Sequence, residues 1–208
     1  AGCCGRTMIS KGMIGAAKKA ARRNVDALLP FAERGIPIVG CEPSCILTFR
    51  DETPDLVAGK EAQTVAKHAM LIDEFLAREH ERAPLQLQGQ TPGGSKVLFH
   101  GHCHQKAIAG TTAARAVLTA AGFTVEEVDS GCCGMAGSFG FEKEHYDVSM
   151  ALGERRLLPA VRSKPASVPI VAMGVSCRQQ IAHGTGRRAL HLVELLAQAT
   201  ADGNAVTR

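Results

Sequence analysis

Apolar residues follow two different rhythms along this chain. Lys96-Val97-Leu98-Phe99-His100 reads as a short buried strand, and residues 123–128 and 168–172 as two more. Between the first two, Ile108, Ala114, Val117, Leu118 and Ala121 recur at the spacing of one helical face, and Gly122 supplies the stop. A further helix is expected through Tyr146, Val148, Ala151 and Leu152 to about Arg162, and others through Ile181 and Leu190 to Ala199. Strands alternating with helices imply an α/β fold, a parallel sheet covered by helices on both faces. Ligands of such sheets gather at the carboxyl ends of the strands.

The N-terminal part repeats this pattern in register. Cys3-Cys4-Gly5 matches Cys132-Cys133-Gly134. Cys4 precedes Pro30 by 26 positions, as Cys133 precedes Pro159, and Pro37 precedes Cys45 by 8, as Pro169 precedes Cys177. Ser44-Cys45 answers Ser176-Cys177, and Leu71-Ile72-Asp73-Glu74-Phe75-Leu76 answers Leu192-Val193-Glu194-Leu195-Leu196. Agreement at several offsets points to two pseudo-repeated units. The first spans residues 1–83 and the second 96–208, joined by a linker at 84–95 rich in Gln, Gly and Pro. The first unit enters at its Cys-Cys-Gly turn, without the strand, helix, strand and cysteine that open the second. It therefore reads as N-terminally truncated, the C-terminal piece of a longer protein.

The 208 residues carry a net charge of +4, no Trp and one Tyr. The basic pairs Lys18-Lys19, Arg22-Arg23, Arg155-Arg156 and Arg187-Arg188 are scattered and read as solvated helix faces. Nucleic-acid binding would need a concentrated basic stripe with aromatic stacking platforms, so that class is set aside. No apolar run approaches the ~20 residues of a membrane-spanning helix. The expectation is a cytoplasmic protein in reducing surroundings, peripheral to the inner membrane at most.

The chemistry lies in the eight cysteines. Cys103, the pair Cys132-Cys133, and Cys177 each fall just after an expected strand, so a parallel sheet would bring them to one edge. The vicinal pair sits in Ser130-Gly131-Cys132-Cys133-Gly134-Met135-Ala136-Gly137-Ser138-Phe139-Gly140, a turn expected between a strand end and a helix N-terminus. A helix N-terminus favours thiolate. Adjacent cysteines close poorly on themselves as a disulfide. Zinc sites favour C-x2-C pairs, whereas a cluster offers neighbouring thiolates separate irons. An iron–sulfur cluster is the preferred reading, with zinc and redox-active free thiols as alternatives. Gly134, Gly137 and Gly140 depart from the G-x-G-x-x-G dinucleotide fingerprint and read as backbone room for a cluster. His100, His102 and His104 flank Cys103 as ligands, as N–H donors to cluster sulfur, or as groups satisfying the loop backbone. Met135, Met150 and Met173 read as core, Asp129 and Ser130 as strand-end residues, and Glu142 and Glu144 as acids of a helix's first turn.

These phrases carry a resemblance. Cys103, Cys132-Cys133-Gly134 and Cys177, with Cys3-Cys4-Gly5 and Cys41-Glu42-Pro43-Ser44-Cys45, resemble the cysteine-rich CCG domain. That domain occurs in tandem in heterodisulfide reductase and in the iron–sulfur subunits of glycolate oxidase and anaerobic glycerol-3-phosphate dehydrogenase. The phrases Gly40 to Cys45, His100 to Lys106, Asp129 to Gly140 and Gly184 to Arg188 are most similar to the C-terminal part of FAD-linked, iron–sulfur D-2-hydroxyacid dehydrogenases. The resemblance implies one or two clusters, of 4Fe-4S type, held by Cys3, Cys4, Cys41, Cys45, Cys103, Cys132, Cys133 and Cys177, with His102 and His104 behind them. It also implies FAD in an upstream part or a partner, ferredoxin-type domains or subunits as neighbours, and a quinone or carrier as electron acceptor. The substrate would be a 2-hydroxy acid of the glycolate, D-lactate or D-2-hydroxyglutarate type. The other roles it leaves open are a zinc-stabilised docking module and a cluster that reduces a disulfide. The family pattern has five cysteines per unit. Here the second unit has four, with Met173 at the place of Cys41.

Overall fold

The structure, a computed structural model, describes residues 2–84 and 95–204. The expected linker falls almost wholly outside the described residues. Two compact units are present, residues 1–72 with Gly137–Phe139, and residues 73–136 with 140–208.

The first unit contains α1 (Arg6–Ser10), α2 (Ile14–Ala32), β1 (Ile38–Gly40), α3 (Pro43–Arg50), α4 (Glu52–Leu56), α5 (Lys60–His68) and β2 (Ala69–Leu71). Alanines at 17, 20 and 21 and Val25 bury one stripe of α2, while Lys18, Lys19, Arg22 and Arg23 stay in solvent. That apolar stripe packs against Ala62 and Val65 of α5. β1 and β2 run parallel, Ile38 opposite Ala69. β2 was not expected from the sequence, because three residues are too few to show a period.

The second unit contains α6 (Ile72–Arg82, entering the unit at Asp73), β3 (Lys96–His100), α7 (Cys103–Ile108), α8 (Thr112–Ala120), β4 (Thr124–Glu127), α9 (Tyr146–Glu154), α10 (Leu157–Arg162), β5 (Ile170–Ala172), α11 (Val175–Thr185), β6 (Ala189–Leu190) and α12 (Leu192–Asn204). Its sheet is wholly parallel in the order β4-β3-β5-β6. The strands are buried on both faces at β3 and β5, as their unbroken apolar runs imply. Leu98, Ile170 and Ala172 face one side, in a core with Leu157, Leu158, Val161 and Ile181 of α10 and α11. Alternation turns Val97, Phe99 and Val171 to the other face, and all three are fully buried.

Four expectations change. The helix after β3 is two helices, divided at Gly110, which takes a positive φ of 73°. The helix expected from Tyr146 to Arg162 is likewise α9 and α10, and Leu190 lies on a strand between α11 and α12. Arg187 does not decorate a solvated face. Its guanidinium donates to the carbonyls of Lys164 (2.9 Å) and Val168 (2.7 Å), tying the approach to β5.

Candidate metal centre

β3 ends at His100, β4 at Glu127 and β5 at Ala172, all at the same edge of the parallel sheet. Cys103, Cys132-Cys133 and Cys177 follow those ends, and the fold brings all four thiols together. Hydrogen-bond contacts run in a chain, Cys103 to Cys132, Cys132 to Cys133, and Cys133 to Cys177. Cys133 and Cys177 are buried, and Cys103 and Cys132 are half-buried. Cys132 also lines a cavity of about 200 Å³ with Asp129, Leu152, Arg155 and Arg156, so the group opens outward on that side.

Four thiols in contact cannot all carry charge independently, and their acidities split. Cys132 is held well below the usual thiol range by hydrogen bonds from Cys103 and Cys133, with help from the N–H groups of Gly134 and Ala136. Cys177 is held low by Cys133, and then by His100. Cys103 and Cys133, the donors, are pushed up. The cause of the low Cys132 pKa differs from the expectation. Residues 134–138 and two 3₁₀ turns, Phe139–Phe141 and Lys143–His145, lie between the pair and α9. Among the described residues no helix N-terminus serves the pair; loop N–H groups do, Gly134 N–H lying 3.3 Å from Cys132 Sγ. Helix starts instead carry the other two cysteines, Cys103 at the first residue of α7 and Cys177 in the first turn of α11.

The loop is shaped by its glycines. Gly134 takes a φ of 103°, and a Cβ there would overlap the Ser149 carbonyl oxygen of α9. Gln180, buried on α11, donates to the Cys133 carbonyl at 3.1 Å and so fixes the loop to the helix that carries Cys177. Sequence reasoning missed Gln180. The signal was its place one turn after Cys177.

The histidines divide in role. His102 is the N-cap of α7, its Nδ1 accepting the His104 N–H at 3.2 Å, and its ring lies where a Cβ on Gly174 would be. His104 is buried on α7. His100, at 1% exposure, joins the Ser130 hydroxyl through Nδ1 at 2.8 Å. Glu144 lies in the first turn of the 3₁₀ helix Lys143–His145 and not of α9, and Glu142 is that helix's N-cap, 3.1 Å from His145.

In the first unit, Cys4 and Cys45 are in hydrogen-bond contact with Cys3 beside them. Cys4 is lowered by Cys45, and Cys45 is raised by the same contact. Cys41 follows β1 on an exposed loop. Gly5 has a φ of 91°, the same left-handed conformation as Gly134.

The donor set of the second unit, four sulfurs from three strand ends with alternating acidities, suits a cationic centre bound through thiolates. An α/β sheet with such a set at its carboxyl edge defines a thiolate metal-binding protein. The cysteine-rich domain family model, CCG, matches residues 1–50 and 97–182, and the chain belongs to this family. It is 32% identical to a subunit of the anaerobic glycerol-3-phosphate dehydrogenase of Escherichia coli K12 over 96% of its own length and 50% of that protein. It is 32% identical to D-2-hydroxyglutarate dehydrogenase of the same organism over 93% of its length and 18% of that protein, and 30% identical to the Pseudomonas putida protein of that name over 93% and 18%. The chain thus spans about half of the first relative and less than a fifth of the others. No helix among the described residues is long and apolar enough to cross a membrane.

Proposed function

We propose that this chain is the iron–sulfur electron-transfer part of a flavin-linked oxidoreductase that oxidises a 2-hydroxy acid. The observation that carries this reading is the meeting of Cys103, Cys132, Cys133 and Cys177 in one hydrogen-bonded group at the sheet edge. The relatives' names, two kinds of dehydrogenase, support it. These four cysteines would hold a 4Fe-4S cluster in the second unit, and Cys3, Cys4, Cys41 and Cys45 would contribute to a second centre. Such clusters accept and pass on single electrons.

The chain's own part is to supply thiolates without added protons, to screen them with loop N–H groups, and to keep bulk water from Cys133 and Cys177. Flavin and ferredoxin-type partners and a quinone or carrier acceptor belong to the same proposal, as does a cytoplasmic setting. So does the division into two repeated units. Its supports are that β1 and β5 each lead to a cysteine-bearing helix and pair with a short parallel strand, β2 or β6, that runs directly into α6 or α12.

Anaerobic purification tests the proposal. A brown protein with iron, acid-labile sulfide and a paramagnetic signal on reduction is expected, whereas a colourless protein with stoichiometric zinc would sink it in favour of a docking module. Cys132→Ser is expected to lower iron in the second unit and to leave the first unit's share unchanged. Iron content equal to that of the parent would remove Cys132 from the ligand set.

A further inference from the structure

The end of β3 places a buried histidine directly behind the thiol group. His100 pairs with Ala172 across β3 and β5 and shares its sheet face with Leu98, the face whose core includes Cys133 and Cys177. It is 1% exposed, and its Nε2 is buried with no completed hydrogen bond. A buried imidazole nitrogen whose hydrogen bond is incomplete is costly and calls for an explanation. The His100 ring lies within reach of the Cys177 side chain.

The proton can be located from the other side of the ring. The Ser130 hydroxyl lies 2.8 Å from Nδ1 and 3.5 Å from the Val128 carbonyl. The shorter distance makes Nδ1 the better-placed acceptor for the hydroxyl. A neutral imidazole whose Nδ1 accepts carries its hydrogen on Nε2.

We propose that His100 is a positioning residue for the cluster's potential: its Nε2–H, aimed by Ser130, donates to Cys177 Sγ when the four cysteines bind the cluster as thiolates. This rests on the function proposed above. Bound thiolates have no protons to give, so N–H donation from His100 satisfies the buried nitrogen and the sulfur charge together. Stabilising charge on sulfur favours the reduced cluster and makes the potential more positive. His100 is not needed as a ligand, because four sulfurs are already linked in one chain of contacts.

The test is redox titration of the anaerobically isolated 208-residue chain as parent, His100→Leu and Ser130→Ala, with iron and sulfide assayed on each sample. With both contents unchanged, His100→Leu should titrate at a more negative potential, and Ser130→Ala should shift the same way by less. His100→Asn, which returns an N–H at shorter reach, should recover part of the difference. A His100→Leu protein with a complete cluster and the parent's potential would overturn the proposal. If His100→Leu cannot assemble the cluster, Ser130→Ala decides, a negative shift supporting the proposal and no shift overturning it. Pulsed paramagnetic resonance on protein with ¹⁵N-histidine should show the weak coupling of a hydrogen-bonded nitrogen. The strong coupling of a bound nitrogen would overturn the donor role. Absence of iron and sulfide from the parent is a separate result, which strikes the function itself.

Discussion

Gly134 holds the vicinal pair in place through a conformation that side chains resist. Its φ of 103° is left-handed, and an added Cβ would meet backbone of α9. Gly122 is also left-handed, with a φ of 91°, but nothing lies within 4 Å of where its Cβ would be. Gly134→Ala should therefore cost at least ~3 kcal/mol in urea unfolding, and Gly122→Ala only about 1 kcal/mol. Equal losses would show that the overlap with Ser149 is relieved at no cost. The glycine beside each cysteine pair was legible as a motif. Its reason was not, because φ and the approach of α9 are set by residues far along the chain. The same holds for His100. Its place at the end of an apolar strand was visible, but the partnership with Ser130 and Cys177 requires three strand ends to be side by side.

Two polar anchors govern how elements join. Arg187 spans the carbonyls around the α10–β5 connection, while Arg188 next to it is exposed and makes a 3.4 Å contact with Glu194. Arg187→Ala should lose ~2–3 kcal/mol, Arg188→Ala within ~0.5 kcal/mol, and Arg187→Lys should recover little, since one ammonium cannot reproduce the fork. Parity of the two alanine variants in denaturant titration would refute the anchor. The second is Asp73 on α6, fully buried and accepting a 2.8 Å bond from Gln105 of α7. Burial raises its pKa from 3.8 to about 6. With the folded value above the unfolded one, the native state binds the extra proton. Stability should thus fall as pH rises from about 4 to 6, by on the order of 3 kcal/mol, and stay reduced above that window. Asp73→Asn should flatten this slope, and an unaltered slope would assign it to another group. At this scale the apolar runs of β3 and β5 and the stop at Gly122 follow from composition and spacing, whereas the break at Gly110 does not. β2 and β6 do not, for strands of three and two residues exist only through their pairing with β1 and β5.

At the scale of the molecule, the second unit gathers sulfurs from three separate strand ends, so filling the centre and folding the sheet edge are linked. Removing the proposed centre by chelation under oxygen should lower the melting temperature by on the order of 10 °C or more, given ~2–4 °C per kcal/mol for a chain of this size. Calorimetry before and after stripping measures it, and unchanged melting would mean that the sheet edge is held by packing alone. The sequence by itself determined that strands and helices alternate, that each cysteine of the second unit follows a strand, and hence that these cysteines share one edge. A parallel sheet leaves no other place for the residues after its strands. Only the tertiary structure decided which thiols touch, in the order Cys103, Cys132, Cys133, Cys177, which amides and histidine face them, and which groups Arg187 and Asp73 engage. Those contacts join segments tens of residues apart, and they depend on strand register and helix packing, which no local period encodes.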